Sequence, residues 1–215
     1  LEEKGFYVTK NSHSNYAQTS TSLASALNMK YLNYLSDTVG NESKDHGILY
    51  QMLDNNLVMR IFKSAGYEIY NISSGAWNTG SLNIADEHLC LKNENMDFRT
   101  LYQLKQASIL RAFDVVIKEP TSRFMNQVHR DRILCQFDEI TEITQRTDEP
   151  VFVFMHVLSP HDPFVFGPNG EEVDYKYTFG QDVLHTQLPA MVGLAPGEEI
   201  KAYRDQVIYL TKILR

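Results

Sequence analysis

Apolar positions recur along this chain at helical and strand spacings, and their alternation predicts a sequence of helices and strands. From Ile48 to Ala65, the residues Leu49, Met52, Leu53, Leu57, Ile61 and Phe62 share one helix face. Gly66 follows as the residue that ends such a helix. Tyr67-Glu68-Ile69-Tyr70-Asn71-Ile72 then reads as a strand, and Ser73 to Gly80 as its loop. An earlier helix is predicted from about Ser20 to Leu35, and a later one over most of Phe98 to Val116. Thr121 is placed to cap a long helix with Phe124, Val128, Leu134, Phe137, Ile140 and Ile143 on one side. Val151 to Val157 is a continuous apolar run, as expected of a strand buried on both faces. Ile200, Tyr203, Val207, Leu210 and Leu214 mark a last helix. Phe6 to Thr9 reads as a short strand, and Asn11 to Tyr16 and Asp37 to Asp45 as loops. Residues 81–97 fit no single pattern. The long polar excursion from Pro160 to Pro196 is of a length that usually serves function.

Strands alternating with helices imply an α/β fold, with a mostly parallel sheet covered by helices on both faces. The 215 residues suit a single domain, and 43% hydrophobic content permits a packed core. A net charge of −7 argues against a nucleic-acid partner, which requires a basic face. It leaves an anionic substrate open, because a bound metal ion can reverse the local field. No apolar run approaches the length that spans a bilayer. Leu1 to Gly5 reads as a last helical turn with a glycine stop, and Ile213 to Arg215 lies inside a helical pattern, so the chain reads as an excerpt. The two cysteines, Cys90 and Cys135, have neither metal-ligand spacing nor a CxxC arrangement. They are read as ordinary thiols. One disulfide stays open without being indicated, and so does the redox compartment.

Two distant segments carry the chemistry. Asn15-Tyr16-Ala17-Gln18-Thr19-Ser20-Thr21-Ser22-Leu23-Ala24 opens a helix with a run of hydroxyls. Such residues ordinarily serve as N-caps. The same geometry can aim a hydroxyl nucleophile from a helix N-terminus, where unpaired N–H groups and a partial positive charge favour an anion. No general base adjoins it in sequence, so a metal ion would have to activate it. The second segment, Val151 to Phe164, ends a strand in His156 and His161. His156 is either a hydrogen-bonded core histidine or a substrate contact. His161, on the loop beyond, is the better placed to stabilise charge developing in transfer. In an open α/β sheet both segments belong on the edge where ligands bind.

These segments resemble the alkaline phosphatase/sulfatase superfamily. Sulfatases carry Cys-x-Pro-Ser-Arg before a small-residue helix. On that pattern Thr19 falls on the nucleophile, Ser22 on the serine, and Ala24-Ser25-Ala26-Leu27 on the helix. Thr19 replaces the cysteine that becomes formylglycine, Thr21 the proline and Leu23 the arginine. The resemblance therefore leans toward the branch with a threonine nucleophile, such as lipoteichoic acid synthases and phosphoethanolamine transferases. Lys63-Ser64-Ala65-Gly66-Tyr67 through Gly75-Ala76-Trp77-Asn78 resembles the next block, with Ala76 and Asn78 in place of a lysine and a histidine. Trp77 is read as a packing aromatic. His156 to Pro163 is similar to the family's His-x-x-x-Pro-His-x-Pro segment, whose second histidine meets the transferred group. Asp45-His46-Gly47 spells a metal-binding triplet of the superfamily but precedes a helix, so Asp45 is read as a helix-start residue. His13, His88, His129 and His185 are assigned surface or packing roles.

The resemblance implies a three-layer α/β/α sandwich of alkaline phosphatase type, incomplete at both ends, with residues 1–215 as one catalytic-domain fragment. It implies a metal-dependent phospho-group transferase or phosphoesterase acting through a covalent ester. Thr19 would be nucleophile and metal ligand, and His161, His156 and Asn78 would bind substrate. The cofactor would be a divalent ion (Mn, Zn, Mg or Ca), and the substrate a phosphorylated or sulfated lipid or glycan. The location would be extracytoplasmic, either membrane-associated or periplasmic, since related enzymes work outside the cytoplasmic membrane and are often tethered to it. Further metal ligands would lie before Leu1 and beyond Arg215, which predicts that the excerpt alone is inactive. Two alternatives stand beside this: a sulfatase-like hydrolase working without formylglycine, and a degenerate member that binds an anionic polymer or glycan without turnover.

Overall fold

The computed structural model describes residues 2–5, 7–40, 42–76, 79–91, 114–173 and 197–214. The helices are α1 (Thr19–Leu27), α2 (Leu35–Val39), α3 (Gly47–Asp54), α4 (Leu57–Ser64), α5 (Asp114–Glu142) and α6 (Glu198–Ile213). The strands are β1 (Glu68–Ile72), β2 (Glu87–Leu89) and β3 (Val151–Met155). They form a parallel sheet in the order β2-β1-β3, with Tyr70 opposite both Glu87 and Val153.

Alternation along β1 assigns its residues to two faces. Ile69 joins Ala24, Leu32, Leu35, Leu49, Leu53, Met59 and Leu82 in a core beneath α1–α4, with Phe152 and Phe154 of β3 packed against it. Tyr70 and Ile72 point the other way and are also buried. A second apolar cluster gathers Ile133 of α5, Val165, Phe166 and Leu210 of α6. The fold is mixed α/β, a parallel sheet clad by helices, as the alternating pattern requires.

Several local expectations are corrected. The helix predicted from Ser20 to Leu35 stops at Leu27, and α2 lies partly in the expected loop. Asn28 is the reason. Its amide donates to the carbonyls of Ala24 (2.9 Å) and Met52 (3.0 Å), and its carbonyl oxygen accepts from Leu57 N at 3.1 Å. The helix predicted from Ile48 to Ala65 is two helices. Fully buried Asn56 separates them and caps α4 by accepting from Met59 N at 2.9 Å. Residues 7–9 form no strand, and Tyr7 is 90% exposed, because no described strand offers them a ladder. The strand predicted to Val157 ends at Met155, and its residues are half-buried rather than buried on both faces. β3 pairs with β1 on one side and has no other described neighbour. The thiols are also corrected, since Cys90 and Cys135 form a disulfide that ties the end of β2 to α5. α5 begins at Asp114, so Thr121 lies inside it rather than capping it. Residues 98–113 of the expected helix over Phe98 to Val116, and most of the excursion to Pro196, lie outside the described residues.

Candidate functional site at the carboxyl edge of the sheet

In a parallel sheet the strands end on one edge, and the loops that follow collect there. β1 runs into Ser73 and Ser74, and β3 runs directly into His156. Ser74 and Thr79 are buried in the loop after β1. Thr79 Oγ1 lies 2.8 Å from His156 Nδ1 and 2.7 Å from Ser74 Oγ. Ser74 Oγ also accepts from Ala76 N at 2.9 Å. The main-chain oxygen of His156 accepts from Gln136 Nε2 of α5 at 3.0 Å. Burial and the nearby charge of His161 hold the His156 imidazole below the ordinary histidine range.

His161 stands on the loop beyond, between the cis peptides Ser159–Pro160 and Asp162–Pro163. Its side chain is 63% exposed, with Nδ1 at 2.8 Å from Asp162 Oδ1. The hydrogen bond to that carboxylate outweighs partial burial and raises the imidazole to about 9, so the ring is a cation at neutral pH. Gln206 of α6 pins the same loop, donating to His161 O at 3.4 Å and accepting from Val165 N at 2.9 Å.

Helix α5 adds two groups that sequence reading missed. His129, assigned there a surface or packing role, is buried within reach of the charges on Arg132, His161 and Asp162. Desolvation first, then Arg132 and His161, lower it to about 4. Arg132 Nη1 lies 3.4 Å from Ser73 Oγ, and its guanidinium covers Gly75, where any Cβ would collide with it. The available signal was spacing: His129, Arg132 and Gln136 are three and four apart, on one face of a helix.

Thr19 is the first residue of α1 and is exposed, and its hydroxyl has no hydrogen-bond partner among the described residues. The expected hydroxyl cap is absent: Gln18 occupies the N-cap position, and no side chain supplies an acceptor there. Thr21 Oγ1 instead donates to Gln18 O at 2.9 Å, and Ser22 Oγ to Asn15 Oδ1 at 2.9 Å. The first-turn N–H groups therefore lack a side-chain cap. No described hydrogen bond or ion pair joins Thr19 to His156 or His161, whereas the two histidines share one electrostatic neighbourhood. Asn78 and Trp77 lie outside the described residues. Asp45 Oδ1 accepts from Gly47 N at 2.8 Å just ahead of α3, but His46 holds the N-cap position and no side chain caps that helix.

No group of three or more His, Cys, Asp or Glu among the described residues could hold a metal ion. These residues therefore do not fit a divalent-metal cage, and Thr19 alone is not one. No described helix is long and apolar enough to cross a membrane. Among known proteins, the Sulfatase family model matches residues 2–209. No curated protein and no solved structure matches.

Proposed function

The chain belongs to the sulfatase family, within the alkaline phosphatase/sulfatase superfamily, and from that premise we propose that it cleaves or transfers a phosphate ester through Thr19. The observation that carries this reading is His161, an exposed imidazolium that Asp162 holds at the carboxyl edge of the sheet. A fixed cation there favours an anionic ester and can protonate a leaving alcohol. In the first step the Thr19 oxygen bonds to phosphorus, the bond to the leaving oxygen breaks, and the alcohol departs with the His161 proton. The Thr19 proton passes to solvent. Water or an acceptor alcohol then attacks phosphorus and gives its proton to His161, while the displaced Thr19 oxygen takes a proton back from solvent. The exposed, unpartnered Thr19 hydroxyl at an uncapped helix start supports the first role.

Threonine cannot become formylglycine, which favours phosphate over sulfate. A sulfate ester is the second reading, and family membership supports it. The substrate class is a phosphorylated or sulfated lipid or glycan, with His156 and Asn78 as further contacts. Divalent-ion dependence belongs to the proposal through the family alone; its readout is loss of turnover in EDTA and recovery with added ion. An extracytoplasmic site of action, in a membrane-anchored protein, is proposed with it. The Cys90–Cys135 disulfide supports an oxidising compartment.

The test is the full-length protein with aryl phosphomonoester, phosphodiester and sulfate substrates. Thr19→Ala should lower turnover by more than about 10³-fold, while Thr19→Ser retains part of it. A covalent phospho-ester on residue 19 should appear by mass spectrometry after acid quench. Full activity in Thr19→Ala would sink the nucleophile. Phosphate binding without turnover by the wild type would favour the non-catalytic member instead.

A further inference from the structure

Among the described residues, the hydroxyls behind His156 form a closed chain whose protons can be counted. Ser74 Oγ has two partners, Ala76 N at 2.9 Å and Thr79 Oγ1 at 2.7 Å. Thr79 Oγ1 also has two, Ser74 Oγ and His156 Nδ1 at 2.8 Å. Both hydroxyl residues are buried, so each O–H needs an acceptor within this chain. The Ala76 N–H enters at Ser74. If Ser74 donates to Thr79 and Thr79 donates to Nδ1, both hydroxyl protons are used and every link is made. If Nδ1 carried the ring proton, it would donate to Thr79 and Thr79 to Ser74. Ser74 would then accept twice, and its own buried proton would have no acceptor. An unsatisfied buried donor is costly, so the first order prevails.

We propose that Ser74 and Thr79 fix His156 as the neutral imidazole with its proton on Nε2, making it a hydrogen-bond donor to the anionic ester rather than a base. Thr79 is a positioning residue: it acts through His156. The backbone supports the arrangement, since Gln136 holds the His156 carbonyl from α5. The charged group that bears on this ring is the His161 imidazolium, and together with burial it opposes a second proton on His156. The two histidines would then divide the work. His161 supplies charge and a transferable proton. His156 supplies a fixed neutral donor, as an oxyanion requires. This assignment rests on the anionic-ester reading above.

The experiment is ¹⁵N-histidine NMR of the full-length protein at neutral pH, with inorganic phosphate as the probe. His156 should show an unprotonated Nδ1 and a protonated Nε2, and phosphate should shift the Nε2 signal. Thr79→Val should release the tautomer to a mixture and weaken phosphate binding about tenfold, and Thr79→Ser should restore both. A protonated Nδ1 in the wild type overturns the proposal whether or not the valine variant folds. Ester turnover with no phosphate-linked shift at His156 overturns this proposal and leaves the function standing. Absence of both phosphate binding and turnover overturns the function, and this assignment with it.

Discussion

Asp162 holds the ring of its neighbour His161 through two oxygens: Nδ1 lies 2.8 Å from Oδ1 and 2.9 Å from the main-chain carbonyl. Adjacent residues seldom meet side chain to side chain in a strand or helix. Here the loop beyond β3 brings them together.

Replacing Asp162 with Asn should return His161 from about 9 toward its ordinary 6.5. The alkaline limb of a rate–pH profile that needs the imidazolium should move down with it. The stability sign follows from the raised value. The pair stabilises the fold fully below about 6.5, and that contribution is lost as pH rises through about 9. An NMR titration of His161 in both proteins measures the shift directly; an unchanged midpoint would refute the role given to Asp162.

His129 has the opposite sign. Its lowered value near 4 means that its neutral form suits the fold, so its contribution is present above about 6.5 and is lost as pH falls toward 4. The span between those values corresponds to up to about 3 kcal/mol. Urea midpoints should therefore fall between pH 6.5 and 4, and His129→Leu should flatten that acid limb. Equal acid limbs in the two proteins would count against this placement of His129 among Arg132, His161 and Asp162.

The Cys90–Cys135 bond closes a span of 45 residues. Reduction, or Cys135→Ser, should cost about 3–4 kcal/mol by the chain-entropy relation. Chemical denaturation with and without reductant reads this, and matching midpoints would show that the bond contributes nothing to stability.

Gly75 has φ of +70°, and its open face is occupied by the Arg132 guanidinium. Gly75→Ala both strains the backbone and displaces that cation. A loss of about 1–3 kcal/mol in stability is expected, together with weaker phosphate binding. Arg132→Ala combined with Gly75→Ala should recover part of the stability, because the collision is gone; strict additivity would show that the two residues do not meet.

The fold was legible where local physics decides it. The run Glu68–Ile72, the apolar Val151–Met155 and the periodic stretch that became α6 appear as strands and helix because side-chain period and backbone geometry are linked over a few residues. The breaks were less legible. Asn28 and Asn56 look like tolerable polar positions within helices, yet Asn28 also spends its amide on Met52 O, a carbonyl brought close by packing, and Asn56 turns its amide back on Leu53 O. His161 was singled out because it follows a strand. The helix face His129–Arg132–Gln136 was passed over because nothing in its neighbours along the chain says that it faces the same loop.

Taken alone, the order of residues determined an α/β fold, an acidic chain, and a hydroxyl at a helix start with histidines past a strand. Only the tertiary structure decided the charge states of those histidines and the pairing of the cysteines. Thr79 and His156 are 77 residues apart, and Cys90 and Cys135 are 45 apart. Protonation depends on burial and on charges a few ångströms away. Neither is set by neighbours along the chain; both exist only once the sheet has gathered its loops on one edge.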